Sequence, residues 1–371
     1  MSFTAATLAG QLLVTGFAGG SPSPRFARAA SRGERAGAVL FGRNGRTPHE
    51  FQAMNAALAA LAAPVGPILL AVDQEGGRVE RIKAPFFSLP SMSRLARAAE
   101  ADPGLVASVA AAQAEELRAV GFTMSFAPVL DVNTEATNPV IGDRAFGREP
   151  SAVVLHGLAF AAGLARGGVL ACGKHFPGHG HTTQDSHLVL PVVSRDRAGL
   201  DAIDLVPVRA AARAGLDAFM SAHVLYPALD PSHPATLSRA VATDLLRGEL
   251  GFEGVLVSDD LEMKALEANV EETSVAAIVA GCDLLLVCSD EDLADRAHAA
   301  LVREIERSVA FQERATEAAH RGLALRRRVP PRPTTVDDLD RLAGAHDGVR
   351  DRLRRALERA PGSPGDGMGS T

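Results

Sequence analysis

Short apolar runs alternate with longer stretches of helical spacing, and this alternation constrains the fold more than any other feature of the sequence. Eight runs rich in Val, Ile, Leu and Phe occupy residues 11–17, 36–42, 67–73, 122–132, 168–175, 218–224, 254–260 and 283–289. The stretches between them, such as "PSAVVLHGLAFAAGLARGG", begin with helix-starting residues and end at glycine. Strands that alternate with helices indicate a parallel sheet, and eight of them predict closure. We therefore predict an α/β chain with a single (β/α)8 TIM barrel.

The region after the eighth run predicts extra C-terminal helices rather than a second domain. Arg- and Ala-rich segments of helical spacing follow the run and are interrupted by "VPPRPTT", where proline breaks a helix. The last residues, "PGSPGDGMGST", have the composition of a disordered segment. The predicted division is a barrel over 1–330, a helical extension over 331–360 and a disordered tail over 361–371.

Composition excludes several classes of partner. The formal net charge of -6 has no basic block behind it, which argues against nucleic acid and against an anionic membrane surface. No apolar run reaches membrane-spanning length and the N-terminus lacks a signal-peptide pattern, so we expect a cytoplasmic protein. The three cysteines lie in apolar runs and are predicted to be buried thiols. With no Trp and one Tyr, the chain predicts a small pocket rather than a long polysaccharide cleft.

Polar residues cluster where five of the apolar runs end. Runs three to seven are followed by or end in "VDQEGGRVER", "NPVIGDRAFG", "GKHFPGHGHTTQDSH", "SAHVLYP" and "SDDLEM". Each has an ordinary explanation alone: Asp73 could cap a turn, Arg144 could pair with Asp143, and His223 could be a satisfied core histidine. In a barrel, however, the carboxyl ends of the strands meet at one rim, which is where active sites are built. The recurrence on consecutive strands therefore favours a functional site.

Two chemistries fit this rim. A metal-dependent barrel hydrolase would use His179 and His181 as paired ligands, with Lys174 or His223 and Asp259 completing the site, but this pair lies in a Gly-rich loop beyond strand five. Glycosyl transfer to water needs a nucleophile or base and a proton donor. Strand alternation puts Asp259 on the same face as two preceding valines, directed toward the barrel axis. His187 can donate the proton, and Asp185 can hold its ring.

The four segments 72–81, 138–147, 173–187 and 245–260 resemble the motifs of glycoside hydrolase family 3. They are most similar to its bacterial β-N-acetylglucosaminidase branch, which recycles cell-wall muropeptides. The resemblance implies a retaining, exo-acting double displacement, with no cofactor or metal, on a small carbohydrate substrate. It assigns Asp259 as nucleophile, His187 as acid/base and Asp185 as its support. The residues implied or considered as sugar ligands at the rim are Asp73, Arg81, Arg144, Lys174, His175 and His223.

Several predictions remain open at the level of sequence. A neutral imidazole repels phosphate less than a carboxylate does, so a β-N-acetylglucosaminide phosphorylase is one alternative. A β-glucosidase of the same family, a metal-dependent hydrolase and a sugar-binding protein without turnover are the others. His179 and His181 are interpreted as loop-shaping or solvent-facing residues. Gly178 and Gly180 predict a mobile loop that delivers His187, and the oligomeric state is not specified.

Overall fold

A computed structural model of the chain describes residues 3–61, 64–83, 85–186, 188–266, 268–342 and 344–360. Two predictions concern residues outside this set. His187, the predicted acid/base, lies between two described ranges, and the predicted disordered tail over 361–371 lies beyond the last one.

Eight parallel strands form a closed barrel, which confirms the predicted fold. Each strand falls largely within one of the eight predicted runs, and consecutive strands are neighbours until the eighth pairs with the first. The strands are β1 (Leu13–Thr15), β2 (Gly37–Leu40), β3 (Leu69–Val72), β4 (Met124–Ser125), β5 (Leu170–Phe176), β6 (Ala218–Ser221), β7 (Val255–Asp260) and β8 (Leu284–Val287). Two short antiparallel hairpins, Gln74–Gly76 with Val79–Glu80 and Leu225–Tyr226 with Asp230–Pro234, follow β3 and β6.

Helices surround the barrel and continue beyond it. They are α1 (Ala5–Gly10), α2 (Pro24–Ser31), α3 (Pro48–Ala59), α4 (Met92–Ala99), α5 (Leu105–Ala119), α6 (Pro150–Arg166), α7 (Arg197–Ala202), α8 (Leu205–Arg213), α9 (Val270–Ala280), α10 (Glu291–Arg307), α11 (Val309–Arg328), α12 (Val336–Leu342) and α13 (Asp347–Arg359), with a π-helix at Ala240–Glu249. The predicted C-terminal helices are present, because α12 and α13 pack on α3, α4 and α5. Within the described ranges, no helix has both the length and the apolar character needed to cross a bilayer.

Strand alternation fills the barrel with apolar side chains and then changes to charged ones at one end. Ala71, Cys172 and Val257 belong to the apolar cluster inside the barrel. Two residues further along the same strands, or just past their ends, are Asp73, Lys174 and Asp259. Because side chains two positions apart share a face, these three groups point into the mouth of the barrel. The three cysteines are buried and unpaired, as predicted.

Candidate active site

A cavity of about 210 Å³ lies at the carboxyl ends of the strands. This is small compared with the roughly 300–1,000 Å³ of pockets that hold drug-sized ligands. Six of the predicted catalytic or sugar-binding residues line it: Asp73, Arg81, Arg144, Lys174, His175 and Asp259. The structure therefore brings together residues that the sequence separates by almost two hundred positions.

Lys174 lines the cavity as a buried cation. Its Nζ is 2.8 Å from Asp73 Oδ1 and 2.6 Å from Glu75 Oε1. Burial alone lowers the pKa of a lysine, but the two carboxylates outweigh it and hold the pKa of Lys174 above its ordinary value. Lys174 is consequently a permanent positive charge, fixed in direction by two partners.

Glu75 is the most important residue that the sequence analysis did not single out. It is 1% exposed and accepts two hydrogen bonds of 2.8 Å from Arg144, one from Nε and one from Nη2. Burial opposes its charge, yet Lys174 and Arg144 hold the pKa of Glu75 well below its ordinary value. Glu75 therefore aligns two of the predicted sugar-binding cations.

His175 is oriented by a second buried carboxylate, Asp131, which follows β4. The Nδ1 of His175 is 2.7 Å from Asp131 Oδ2, and Asp131 also accepts the backbone N–H groups of His175 and His179. Burial raises the pKa of Asp131, but His175 is the largest of the opposing influences, and they hold it below the ordinary value. An ionised carboxylate only accepts hydrogen bonds, so Nδ1 carries a proton and Nε2 is directed away from Asp131.

Asp259 is the carboxylate best suited to attack a bound substrate. It lines the cavity at the end of β7, and its Oδ1 accepts the backbone N–H of Asp260 at 2.8 Å. Burial would raise its pKa, but His223, His175, this N–H and Lys174 together keep the pKa below the ordinary value. The side chain is therefore ionised at neutral pH although it is half-buried.

His223 lies outside the lining of the cavity. It is fully buried, with Nδ1 2.8 Å from Thr236 Oγ1 and Nε2 3.0 Å from the carbonyl oxygen of Asp260, and it is absent from the cavity lining. Protein groups lie at both ring nitrogens, which argues against a direct contact of His223 with substrate; that contact stays a prediction. Its place is behind Asp259, where it holds the backbone of β7.

The two imidazoles of the "HGH" segment have separate partners. His179 contacts Thr182 Oγ1 at 2.8 Å through Nδ1 and Ser186 Oγ at 3.1 Å through Nε2, whereas His181 Nδ1 contacts Thr134 Oγ1 at 2.9 Å. His179 shapes the loop as expected, but it is buried rather than solvent-facing. Burial, with His175 nearby, lowers the pKa of His179 to about 4, so its ring is neutral. These contacts do not direct the two rings at a common metal position.

Gly178 and Gly180 are required for close packing. Gly178 has a φ of +150°, and a Cβ there would lie 2.8 Å from Asp204 Cβ. A Cβ on Gly180 would lie 1.9 Å from the carbonyl oxygen of Val132. The glycines thus allow the loop that ends at Ser186 to lie against the barrel rim, a reason that sequence alone did not supply. Mobility of the loop stays a prediction.

Asp204, directly beneath Gly178, is a buried carboxyl with an incomplete set of partners. Its Oδ2 is 3.1 Å from Arg195 Nε, but neither carboxyl oxygen accepts an aligned hydrogen bond among the described residues. Because burial outweighs the attraction of Arg195, the pKa of Asp204 rises to about 7. This carboxyl is therefore neutral in mildly acidic solution.

We expect the stability of the protein to fall as pH rises from about 4, the ordinary pKa of Asp, to about 7, because the folded chain binds an extra proton in that window. Asp204→Asn should remove this part of the pH dependence and leave the variant more stable than the parent above pH 7. Thermal unfolding between pH 5 and 8 measures the pH dependence of stability in the parent and in this variant. Asp143→Asn, at an exposed position, is the control. Parallel curves for parent and Asp204→Asn would contradict this account.

The barrel fold and a rim cavity with an ionised, half-buried carboxylate are the features expected of a barrel hydrolase, and comparison with known proteins identifies the family. The model of the glycosyl hydrolase family 3 N-terminal domain matches residues 10–324. The chain therefore belongs to glycosyl hydrolase family 3, as the sequence motifs predicted, and it is a glycoside hydrolase.

Curated relatives and solved structures agree. A β-hexosaminidase of Chromobacterium violaceum is 41% identical over 314 residues, which are 83% of this chain and 80% of that relative. A family 3 β-N-acetylglucosaminidase from Paenibacillus has a TM-score of 0.88 at 36% identity. The match covers 97% of this chain and 69% of the Paenibacillus chain. NagZ from Neisseria gonorrhoeae, solved with N-trifluoroacetyl-D-glucosamine, has a TM-score of 0.79 at 32% identity. The match covers 95% of this chain and 98% of the NagZ chain.

Proposed function

We propose that this chain is a retaining, exo-acting β-N-acetylglucosaminidase that removes terminal β-linked N-acetylglucosamine, with muropeptide fragments in the cytoplasm as the natural substrate. The observation that carries the proposal is Asp259, an ionised carboxylate inside a small cavity otherwise equipped to grip hydroxyl groups. The β-hexosaminidase relatives and the N-acetylglucosamine analogue bound to NagZ support the choice of sugar.

The cavity supplies both donors and acceptors to one sugar ring. Lys174, Arg144 and the Nε2 of His175 offer directional hydrogen bonds, and Asp73 accepts from hydroxyl groups. Met220 and Leu286 close the cavity with apolar surface where the barrel core begins. A cavity that is closed by the core accommodates only the terminal sugar of a saccharide. We therefore propose an exo mode of action.

The proposed reaction has two steps at the anomeric carbon. Asp259 attacks this carbon and forms the glycosyl-enzyme bond while His187 donates a proton to the departing oxygen. A water molecule then attacks the same carbon, His187 takes its proton, and Asp259 leaves as the carboxylate. Asp185 stabilises the charged imidazolium before the first step and after the second, and the ring is neutral in between, when it acts as the base. A histidine suits both roles because its ordinary pKa of about 6.5 lies near neutrality.

We expect His187→Ala to discriminate between leaving groups. Loss of acid catalysis costs roughly 10²–10⁴-fold when the departing oxygen needs a proton, as in N,N′-diacetylchitobiose. The loss should be far smaller with a 4-nitrophenyl glycoside, whose phenolate departs without help. His181→Ala is the matched control, because this imidazole in the same loop contacts Thr134 and lies outside the cavity lining. Equal losses on both substrates would remove His187 from the acid role.

One assay series separates the proposed function from its alternatives. We expect turnover of the 4-nitrophenyl glycoside with a 2-acetamido group, little turnover of its 2-hydroxyl analogue, and no effect of a chelator. Preference for the 2-hydroxyl sugar would indicate a β-glucosidase, and loss of activity with chelator would indicate a metal enzyme. Formation of N-acetylglucosamine 1-phosphate in phosphate buffer would indicate a phosphorylase. Binding without turnover would indicate a sugar-binding protein.

A further inference from the structure

A second cleft, of about 660 Å³, lies at the opposite end of the barrel from the active site. It opens where α5 and α6 end, ahead of β4 and β5, and the segment between α11 and α12 forms its other side. It shares no lining residue with the active-site cavity. Five of its lining residues are arginines: Arg118, Arg166, Arg328, Arg332 and Arg341.

Two of these arginines are neutralised by the protein. Arg328 Nη1 is 2.7 Å from Asp217 Oδ1, and Arg341 Nη2 is 2.6 Å from Asp338 Oδ1. The other acidic residue of the lining, Glu115, is nearest to His346, at 3.6 Å. Asp217 and Asp338 are thus paired with arginines, whereas Glu115 is half-exposed and faces His346, an imidazole whose pKa is lowered by burial.

The remaining three, Arg118, Arg166 and Arg332, have no carboxylate within ion-pair distance in the part of the chain that the structure describes. Arg118 donates to the carbonyl oxygens of Phe122 at 3.2 Å and Pro330 at 3.3 Å, and Arg166 donates to that of Ala107 at 2.6 Å. Carbonyl oxygens fix the direction of a guanidinium but do not cancel its charge. Among the described residues, three cations therefore share one concave surface without a carboxylate in ion-pair contact, and Asp338 acts on Arg332 only from beyond that distance.

Arg118 and Arg332 also repel each other. Burial lowers the pKa of Arg118, and the charge of Arg332 lowers it further. Arg118 is half-buried, and its aliphatic stem lies against Gly168, with Cγ 3.6 Å from where a Cβ of that residue would stand. The guanidinium is thus held in place despite the repulsion. An anion between the two groups would turn this unfavourable contact into a favourable one.

We propose that this cleft is an anion site for a small phosphate-bearing molecule, held by Arg118, Arg166 and Arg332. Planar guanidinium groups match the oxygen geometry of phosphate and bind it with paired hydrogen bonds. The cleft is larger than one phosphate ion, so an attached organic group also has room. Because both walls contribute arginines, the bound anion ties the segment after α11 to the end of the barrel.

Titration calorimetry at constant ionic strength tests this site with three probes: inorganic phosphate, pyrophosphate and glucose 6-phosphate. We expect saturable binding of one equivalent of at least one probe, weakened roughly tenfold or more in Arg332→Gln and in Arg166→Gln. Both side chains are exposed and form no ion pair with a carboxylate of the described residues, so these variants should fold. Arg94→Gln, an exposed arginine outside the cleft, makes the same charge change and should bind as the parent does.

The relative affinities for the three probes show whether the site recognises a free phosphate or a phosphate attached to an organic group. Equal affinity for phosphate and glucose 6-phosphate shows recognition of the phosphate alone, and tighter binding of the sugar phosphate shows that the organic group contributes. Glycosidase activity of Arg166→Gln and Arg332→Gln should equal that of the parent, which separates this site from the proposed catalysis. The site is disproved if no probe binds saturably, or if both variants bind as tightly as the parent.

Discussion

Asp259→Ala should lower kcat/KM by on the order of 10⁴-fold or more, because single catalytic groups that form or assist a covalent intermediate have effects of this size. The neighbouring carboxyl of Asp260 is held away from this role, since its Oδ1 accepts the backbone N–H groups of Glu262 and Cys288. Removal of the carboxylate also removes the negative charge that would stabilise an oxocarbenium-like transition state.

Asp260→Asn provides the matched control for that experiment. Burial, and then the charge of Glu262, raise the pKa of Asp260 to about 7, so a neutral amide resembles a form that this side chain already adopts near neutrality. We expect this variant to keep most of its activity. Initial rates with the 4-nitrophenyl glycoside measure the activity of both variants, Asp259→Ala and Asp260→Asn. Circular dichroism verifies that each is folded. A folded Asp259→Ala enzyme within a hundredfold of the parent would contradict the assignment.

The second large effect concerns stability. Glu75→Gln should lower the free energy of unfolding by about 3–5 kcal/mol, the usual cost of removing one member of a buried charge network. The substitution keeps the shape of the side chain but leaves Arg144 without its paired carboxylate and Lys174 with only Asp73. Activity should fall as well, because both cations lose their alignment in the cavity.

Urea unfolding followed by circular dichroism measures this change, and Glu271→Gln is the control. Glu271 also forms a two-point pair with an arginine, Arg296, but that pair is exposed and contributes little. Similar midpoints for Glu75→Gln and Glu271→Gln would show that the buried cluster is not an important source of stability.

Sequence patterns specified the barrel well because strand spacing and rim position are local properties. The eight runs, the alternation that directs Asp259 inward and the residues at strand ends all depend on neighbours within a few positions. Recognition of the family motifs added the roles of the residues. Both sources of information converge on the same rim.

What sequence could not supply were contacts made across the fold. Glu75 meets Arg144 from 69 positions away, and Asp131 meets His175 from 44. His223 ends a strand at the correct rim, yet its ring turns to Thr236 and the Asp260 carbonyl. Such choices depend on packing between segments, which periodicity does not encode. The signals available were Glu75, two positions after Asp73, and Asp131, a carboxylate near the end of the fourth apolar run.

Mass spectrometry of a trapped intermediate tests the central claim most directly. A 5-fluoro-N-acetyl-β-glucosaminyl fluoride should react with the enzyme faster than the resulting adduct is hydrolysed. We predict a mass increase of one fluorosugar per chain, with the label on the peptide that contains Asp259 and on that side chain. Consumption of the reagent with no covalent adduct, or a label on any other residue, would contradict a double displacement through Asp259.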